Sequence, residues 1–239
     1  KIDPETDQEE VAYFFEKYHL ISAPVVDEGG RLTGMLTVDD MVDVIQEENK
    51  EDMLALAGVN DAGLADTVMQ SVRSRAPWLL VNLATAILAS GVIALFEGAI
   101  GQLVALAVLM PIVASMGGNA GTQSLAVAVR AIASRDLTAA NARRVVMREI
   151  MTGAFNGLIF AVVMGIVAGV WFNNWPLAGV IAIAMIINLS CAGLAGILVP
   201  LGLKRFGADP AVASSVFVTT VTDIVGFFAF LGLAVLVLL

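Results

Sequence analysis

Long apolar runs follow a polar beginning and divide the chain into two parts. From about residue 76 onward, apolar residues form five stretches. Each is long enough to cross a hydrocarbon core of roughly 30 Å as a helix rising about 1.5 Å per residue. The predicted spans are Pro77–Phe96, Leu103–Ile132, Met151–Phe172, Pro176–Leu203 and Ala211–Leu239. The pattern therefore predicts a mainly α membrane protein with a five-helix transmembrane domain over residues 76–239.

The polar beginning has the shorter periodicities of a small α/β module. Val11, Phe14, Phe15 and Tyr18 recur at helical spacing and predict one buried face of a helix over Glu9–Tyr18. Two strands and a second helix should follow, at Ser22–Asp27, at Leu32–Thr37 and from Thr37 onward, where Thr37 is the expected N-cap. We assign residues 1–38 to this module and residues 39–75 to a connecting segment. The connecting segment should end in an amphipathic helix over Leu64–Val72.

Acidic residues crowd the second predicted helix, while Met41, Val44 and Ile45 supply its apolar side. The acidic residues are Asp39, Asp40, Asp43, Glu47, Glu48 and Glu51. Four of them recur every four residues and so share one face. Such a ladder is commonly a solvated face. The alternative is a sensor for a divalent cation, because Mg²⁺ keeps much of its water and binds through one or two carboxylates.

Charge follows the same division of the chain. The protein has 239 residues, is 58% hydrophobic and carries a formal net charge of −9. Through Val72 it has 4 basic residues against 17 acidic ones, and beyond Val72 it has nine against five. The acidic part of the chain before the spans is called the head below. Its negative charge makes nucleic acid an unsuitable partner and a divalent cation a natural one. His19 is the single histidine and Cys191 the single cysteine, so no Ser-His or Cys-His pair forms near the membrane and we expect no enzyme.

The basic residues beyond Val72 predict the orientation in the lipid bilayer. They are Arg73 and Arg75 before the first span, Arg130, Arg135, Arg143, Arg144 and Arg148 around the second connection, and Lys204 and Arg205 in the fourth connection. By the positive-inside rule these sites and the head face the cytosol, and five spans then place the C-terminus outside a cell (inner) membrane. The chain also begins as if inside a folded module, so we expect it to be a fragment.

Two polar features interrupt the spans. The second span contains Pro111 and the segment 117–124, with three glycines, Asn119 and Gln123, which predicts a broken helix lining a wet cavity. Close helix packing by small residues is the alternative for the glycines. Asp223 lies deep in the fifth span, where a carboxylate costs about 2.5–3.5 kcal/mol to insert. We therefore expect Asp223 to face water or a cation, against a purely structural hydrogen-bonding role.

Two resemblances to known families add to these patterns. Ala23-Pro24-Val25-Val26-Asp27, Gly30-Arg31-Leu32, Gly34 and Thr37-Val38-Asp39-Asp40 resemble the later part of a CBS domain. Such modules commonly bind adenosine nucleotides. The resemblance implies that Thr37 and Asp40 of a complete module would lie near the ribose of ATP. Helix capping by Thr37 and solvation of Asp40 are the other interpretation, and the residues favour it.

Pro111, Gly117-Gly118-Asn119-Ala120-Gly121-Thr122-Gln123-Ser124 and Thr222-Asp223, in a chain with five predicted spans, resemble the MgtE family of Mg²⁺ channels. The resemblance implies a homodimer with a pore on its twofold axis, in which Asp223 holds hydrated Mg²⁺ beside Gly118 and Asn119. Thr219 and Thr220 are further pore-lining candidates, and the acidic helix corresponds to the family's gating plug.

The resulting hypothesis is Mg²⁺ influx down its electrochemical gradient, closed when cytosolic Mg²⁺ binds the acidic helix. The main alternative is a secondary transporter that exchanges a divalent cation for Na⁺ or H⁺. A third, from another class, is a ligand-sensing or scaffolding membrane protein in which Asp223 is structural. Flux into liposomes separates transport from scaffolding, and the effect of a Na⁺ gradient on the reversal potential separates a channel from an exchanger.

Overall fold

A computed structural model describes residues 1–59, 67–138, 140–207, 209–211 and 214–239. The chain divides into two compact units, Lys1–Ala55 and Leu56–Leu239. Each unit has a hydrophobic core of its own.

The first unit is a two-stranded antiparallel sheet with two helices. Its elements are α1 (Gln8–Tyr18), β1 (Ser22–Val26), β2 (Leu32–Thr37) and α2 (Val38–Leu56). The strands pair from Ser22 with Thr37 to Val25 with Gly34. The core consists of Ile2, Val11, Ala12, Phe15, Ala23 and Met41. The predicted helices and strands are therefore present, with boundaries within one residue of those expected.

Two apolar side chains of this unit are not buried as the periodicity predicted. Tyr18 is 60% exposed, because α1 ends there and His19 turns the backbone into the left-handed region at φ 51°. Ile45 is 45% exposed. Within α2 only Met41 is buried, so the apolar side of that helix is narrower than its sequence suggests.

The second unit consists of helices. They are α3 (Val68–Ala94), the short α4 (Glu97–Gln102), α5 (Ala105–Ala133), α6 (Ala142–Phe172), α7 (Trp175–Arg205) and α8 (Ser214–Leu238). In the part of the chain that the structure describes, five of these helices are long and apolar enough to cross a membrane. α7 lies at the centre and packs against α5, α6 and α8, while α3 packs against α8. The predicted five-helix membrane domain is confirmed.

The first membrane helix begins earlier than predicted, at Val68 instead of Pro77. Thr67 and Gln70 form a reciprocal capping box that starts it, satisfying backbone donors of the first turn. Residues 68–72, which were expected to end a separate amphipathic helix, are therefore the first turn of α3. Residues 64–66 of that expected helix lie outside the described residues.

The expected break in the second span is wrong. α5 runs without interruption from Ala105 to Ala133, through Pro111 and all three glycines of the 117–124 segment. Two of those glycines are buried where other helices cross α5, so their lack of a side chain serves close packing, which was the alternative considered. A Cβ at Gly117 would collide with Asn188 of α7, and one at Gly121 would lie 2.5 Å from Val218 Cγ1 of α8.

Candidate functional site

Asp223 is half-buried on α8, within the apolar second unit. Among the residues that the structure describes, none makes a hydrogen bond or an ion pair with its carboxylate. An ionised carboxylate in an apolar setting is costly unless a donor, water or a cation compensates it. Within the described chain, Asp223 therefore retains its full capacity to accept a cation or its water.

Close packing between α5 and α8 places the polar segment of α5 alongside Asp223. A Cβ at Gly118 would lie 3.6 Å from Thr219 Cγ2, and one at Gly121 would lie 3.5 Å from Thr222 Cγ2. The glycines of α5 thus face the threonines of α8 just before Asp223. Asn119, which follows Gly118, is exposed on the chain.

The threonine hydroxyls near Asp223 already donate hydrogen bonds to backbone carbonyls of their own helix. Thr219 Oγ1 donates to the Ser215 carbonyl at 2.9 Å, and Thr220 Oγ1 donates to the Val216 carbonyl at 2.6 Å. Each hydroxyl oxygen keeps lone pairs for another donor or a cation. With the carboxylate, these groups offer acceptors, which suits a hydrated cation.

Asn188 is a residue that the sequence analysis missed. It lies on α7 with no exposed surface, and its Nδ2 donates to the Val113 carbonyl of α5 at 2.8 Å. Its side chain also fills the space left by Gly117 of α5 and Gly226 of α8, so it links three helices behind the Asp223 segment. Its Oδ1 has no hydrogen-bond partner in the described chain. Asn188 lies in an apolar segment of the sequence, with no polar residues at helical spacing around it. The one signal in the sequence that could have identified it is a polar residue within a predicted membrane span.

Glu149 is a second residue that was missed, because the predicted third span began only at Met151. The structure instead places it within α6 and buries it. Ser124 Oγ of α5 donates to its Oε2 at 3.1 Å, and Arg148 Nη2 lies 3.3 Å from its Oε1. A partly open cavity of about 230 Å³ adjoins it.

In the first unit, acidic side chains from two helices converge. Gln8 Nε2 donates to Glu48 Oε1 at 2.6 Å, which fixes α1 against α2. Burial, together with a hydrogen bond to Glu48 and the charges of Glu48, Asp7 and Asp52, raises the pKa of Glu9 to about 7. The sequence analysis named Glu48 but not Glu9, because the two are distant in sequence. The remaining members of the acidic ladder, Asp39, Asp43, Glu47 and Glu51, are exposed on α2.

Thr37 and Asp40 contact each other at the start of α2. The Thr37 backbone N–H and hydroxyl both donate to Asp40 Oδ2 at 2.7 Å. These hydrogen bonds hold the pKa of the Asp40 carboxyl below its ordinary value, because they stabilise its charged form. The two residues are thus joined across the first turn of α2 through Asp40 as acceptor, whereas an N-cap role of Thr37 requires its side-chain oxygen to accept.

Comparisons with known proteins bear on both units. A family model described as a divalent cation transporter, MgtE, matches residues 110–233, a range that includes both Asn119 and Asp223. A CBS domain model matches residues 1–47. The chain belongs to the MgtE family. The resemblance inferred from the Gly-Gly-Asn segment, the Thr-Asp pair and the partial CBS module is therefore confirmed.

Three curated relatives of the family carry the name magnesium transporter MgtE. The protein from Enterococcus faecalis is 37% identical over 228 residues, covering 95% of this chain and 50% of that protein. Those from Bacillus subtilis and Thermus thermophilus are 36% and 35% identical, over 95% and 98% of this chain. The chain spans about half the length of these relatives. It is thus a multi-pass membrane protein of the bacterial MgtE type.

Proposed function

We propose that the protein conducts Mg²⁺ across the cell membrane down its electrochemical gradient, through a pathway that passes Asp223. The observation that carries this proposal is a half-buried carboxylate without a partner in the described chain, set among the acceptor oxygens of a membrane helix. The relatives' name, magnesium transporter, supports Mg²⁺ as the ion.

A homodimer completes this pathway in our proposal. Asn119 is exposed and Asp223 half-buried in the single chain, so this polar face of α5 and α8 is open to a second copy. A twofold axis at this face would bring two Asp223 carboxylates to one ion. Their combined charge balances a divalent cation, and Mg²⁺ can keep its water while the carboxylates, Thr219, Thr220 and Asn119 accept from that water.

Replacing Asp223 tests the pathway. We expect Asp223→Asn to lower Mg²⁺ flux into proteoliposomes at least about tenfold, because unit charges about 4 Å apart attract by about 4 kcal/mol near a protein surface. Glu97→Gln is the matched control, since Glu97 is exposed on the short helix α4. A folded Asp223→Asn protein with unchanged Mg²⁺ flux would exclude the proposed pathway.

We further propose that the first unit lies in the cytosol and that cytosolic Mg²⁺ closes the pathway by binding its acidic residues. Support comes from the convergence of Glu9, Glu48 and Asp52 on two helices and from the exposed carboxylates of α2. Bound Mg²⁺ would relieve their repulsion and favour one arrangement of the head. Such feedback is a population shift, driven by the higher affinity of one state for the ion.

A further inference from the structure

The cavity beside Glu149 lies between α5 and α6, with α7 as its floor. Leu189 and Gly193 of α7 line its bottom. Five polar side chains line its sides, namely Gln123 and Ser124 from α5 and Glu149, Thr152 and Asn156 from α6. None of these residues takes part in the pathway proposed at Asp223. Ser124, Thr152 and Glu149 have hydrogen-bond or ion-pair partners in the described chain but keep acceptor lone pairs that water or a ligand in the cavity can use.

Glycines of α7 allow the helix segments that carry Ser124 and Glu149 to pack closely against α7. A Cβ at Gly193 would collide with the backbone carbonyl of Glu149, and one at Gly196 would lie 2.6 Å from Ser124 Cβ. α7 can therefore hold α5 and α6 close together on either side of it. The Ser124–Glu149 hydrogen bond joins two helices that otherwise make little direct contact. The site is thus built on packed helices, which position ligands more accurately than loops do.

The polar groups of the cavity present acceptors. Ser124 Oγ donates a hydrogen bond to Glu149 Oε2 at 3.1 Å, and Thr152 Oγ1 donates a hydrogen bond to the Arg148 carbonyl at 2.9 Å. Both hydroxyl oxygens keep lone pairs, and the Glu149 carboxylate has only lone pairs to offer. The amide oxygens of Gln123 and Asn156 can add two more. A set of carboxylate, hydroxyl and amide oxygens suits a hard cation and not an anion.

Charge balance selects a monovalent cation. Glu149 is the single carboxylate lining the cavity, and its side chain is only 10% exposed. A bound ion of charge +1 would neutralise it, whereas a divalent ion would leave an excess charge in an apolar domain, which is costly. The guanidinium of Arg148 contacts the same carboxylate but is 63% exposed, so it can turn into water when an ion binds.

We propose that the cavity lined by Ser124, Glu149, Thr152 and Asn156 binds Na⁺ or a cation of the same class. This site is separate from Asp223, and the proposal does not depend on which ion the main pathway conducts. If a bound monovalent ion stabilises one packing of α5 against α6, it also changes the position of the polar segment of α5. Bound Na⁺ would then modulate transport from a distance.

Equilibrium binding of radioactive Na⁺ to the purified protein in nanodiscs tests this site. The buffer contains no divalent cation, and choline keeps the ionic strength constant. We expect saturable binding that Glu149→Gln weakens by about 10-fold or more, the usual effect of removing a group that supports a metal site. Thr152→Val keeps the side-chain shape, removes one ligand oxygen, and should weaken binding by a smaller factor. If the Glu149→Gln variant does not fold, the weaker Na⁺ binding expected of Thr152→Val tests the site by itself.

Two controls separate this proposal from the proposed pathway. Glu97→Gln removes an exposed acid and should bind Na⁺ as the unmodified protein does. Asp223→Asn is introduced into the proteins compared, so that the pathway carboxylate contributes no Na⁺ binding. Absence of saturable Na⁺ binding, or equal binding by folded Glu149→Gln protein, would overturn the site. Equal Na⁺ binding by the Asp223→Asn variant and the folded Asp223→Asn, Glu149→Gln double variant would also overturn it. Tighter binding of Mg²⁺ than of Na⁺ through Glu149 would overturn the assignment to a monovalent ion.

Discussion

At the scale of single residues, Glu9 shows how position changes the chemistry of a common side chain. It lies in the first turn of α1, where a carboxylate usually favours the helix. Burial and the nearby acids of α2 outweigh that effect and raise the pKa of Glu9 to about 7. Near neutral pH this residue therefore gains or loses a proton, which makes the acidic surface of the first unit sensitive to pH.

The raised pKa predicts how the stability of the first unit depends on pH. Because the folded state binds the Glu9 proton more tightly, stability should fall as pH rises from about 4.5 to about 7. Glu9→Gln should therefore stabilise the unit at pH 8 but not at pH 4. The gain should be on the order of 1 kcal/mol or less, because solvent screens a largely exposed group.

Amide hydrogen exchange in α1, compared between variant and unmodified protein at each pH, measures this effect. Glu16→Gln, which changes an exposed acid of the same helix, is the control. Equal protection of the Glu9→Gln and unmodified proteins at pH 8 would contradict the prediction.

At the scale of helices, glycines determine how closely α6 and α7 pack. A Cβ at Gly157 of α6 would lie 2.8 Å from Ile186 Cα and 3.3 Å from the Ile186 carbonyl oxygen of α7. Backbone atoms cannot move aside as a flexible side chain can. Eight residues further along the same helix, a Cβ at Gly165 would meet the Ala178 carbonyl oxygen at 3.6 Å, an ordinary contact.

This difference predicts opposite effects of two similar substitutions. Gly157→Ala should lower the thermal stability of the membrane domain, since overpacking a core typically costs about 1–3 kcal/mol. Gly165→Ala should leave stability unchanged or raise it slightly, because alanine favours a helix more than glycine does. Thermal unfolding in detergent, followed by size-exclusion chromatography, measures both. Equal melting temperatures for the two variants would show that α6 and α7 are not packed as closely as described.

At the scale of the whole molecule, the proposed function requires the acidic first unit to regulate the membrane domain. Neutralising Asp39, Asp43 and Glu47 together by Asp→Asn and Glu→Gln should weaken inhibition of Mg²⁺ current by cytosolic Mg²⁺. Fewer carboxylates lower the affinity of the head for the ion. Patch-clamp recording of inside-out membranes, with Mg²⁺ varied on the cytosolic face, measures the inhibition.

A triple variant of Glu5, Glu16 and Glu28 provides the matched control for regulation. These acids are exposed on the same unit but lie outside α2. If both triple variants shift inhibition equally, total charge and not the acidic helix is responsible. If neither shifts it, Mg²⁺ is sensed elsewhere.

The sequence alone determined the local structure of the chain. Apolar runs long enough to cross a bilayer predicted five membrane helices, and the segments Ser22–Asp27 and Leu32–Thr37 predicted the two strands of the first unit. Length and periodicity suffice for these features because burial in lipid or in a small core acts on each segment separately. The family followed from short polar motifs, which stand out in an apolar background.

Tertiary structure decided what the polar and small residues do. Only helix crossing shows that Gly117 and Gly121 make room for Asn188 and Val218 instead of breaking α5. Only folding joins Ser124 to Glu149 across 25 positions, or brings Glu9 beside Glu48. Such contacts depend on which faces of distant helices meet, and that is decided by the packing of the whole domain and not by any one segment.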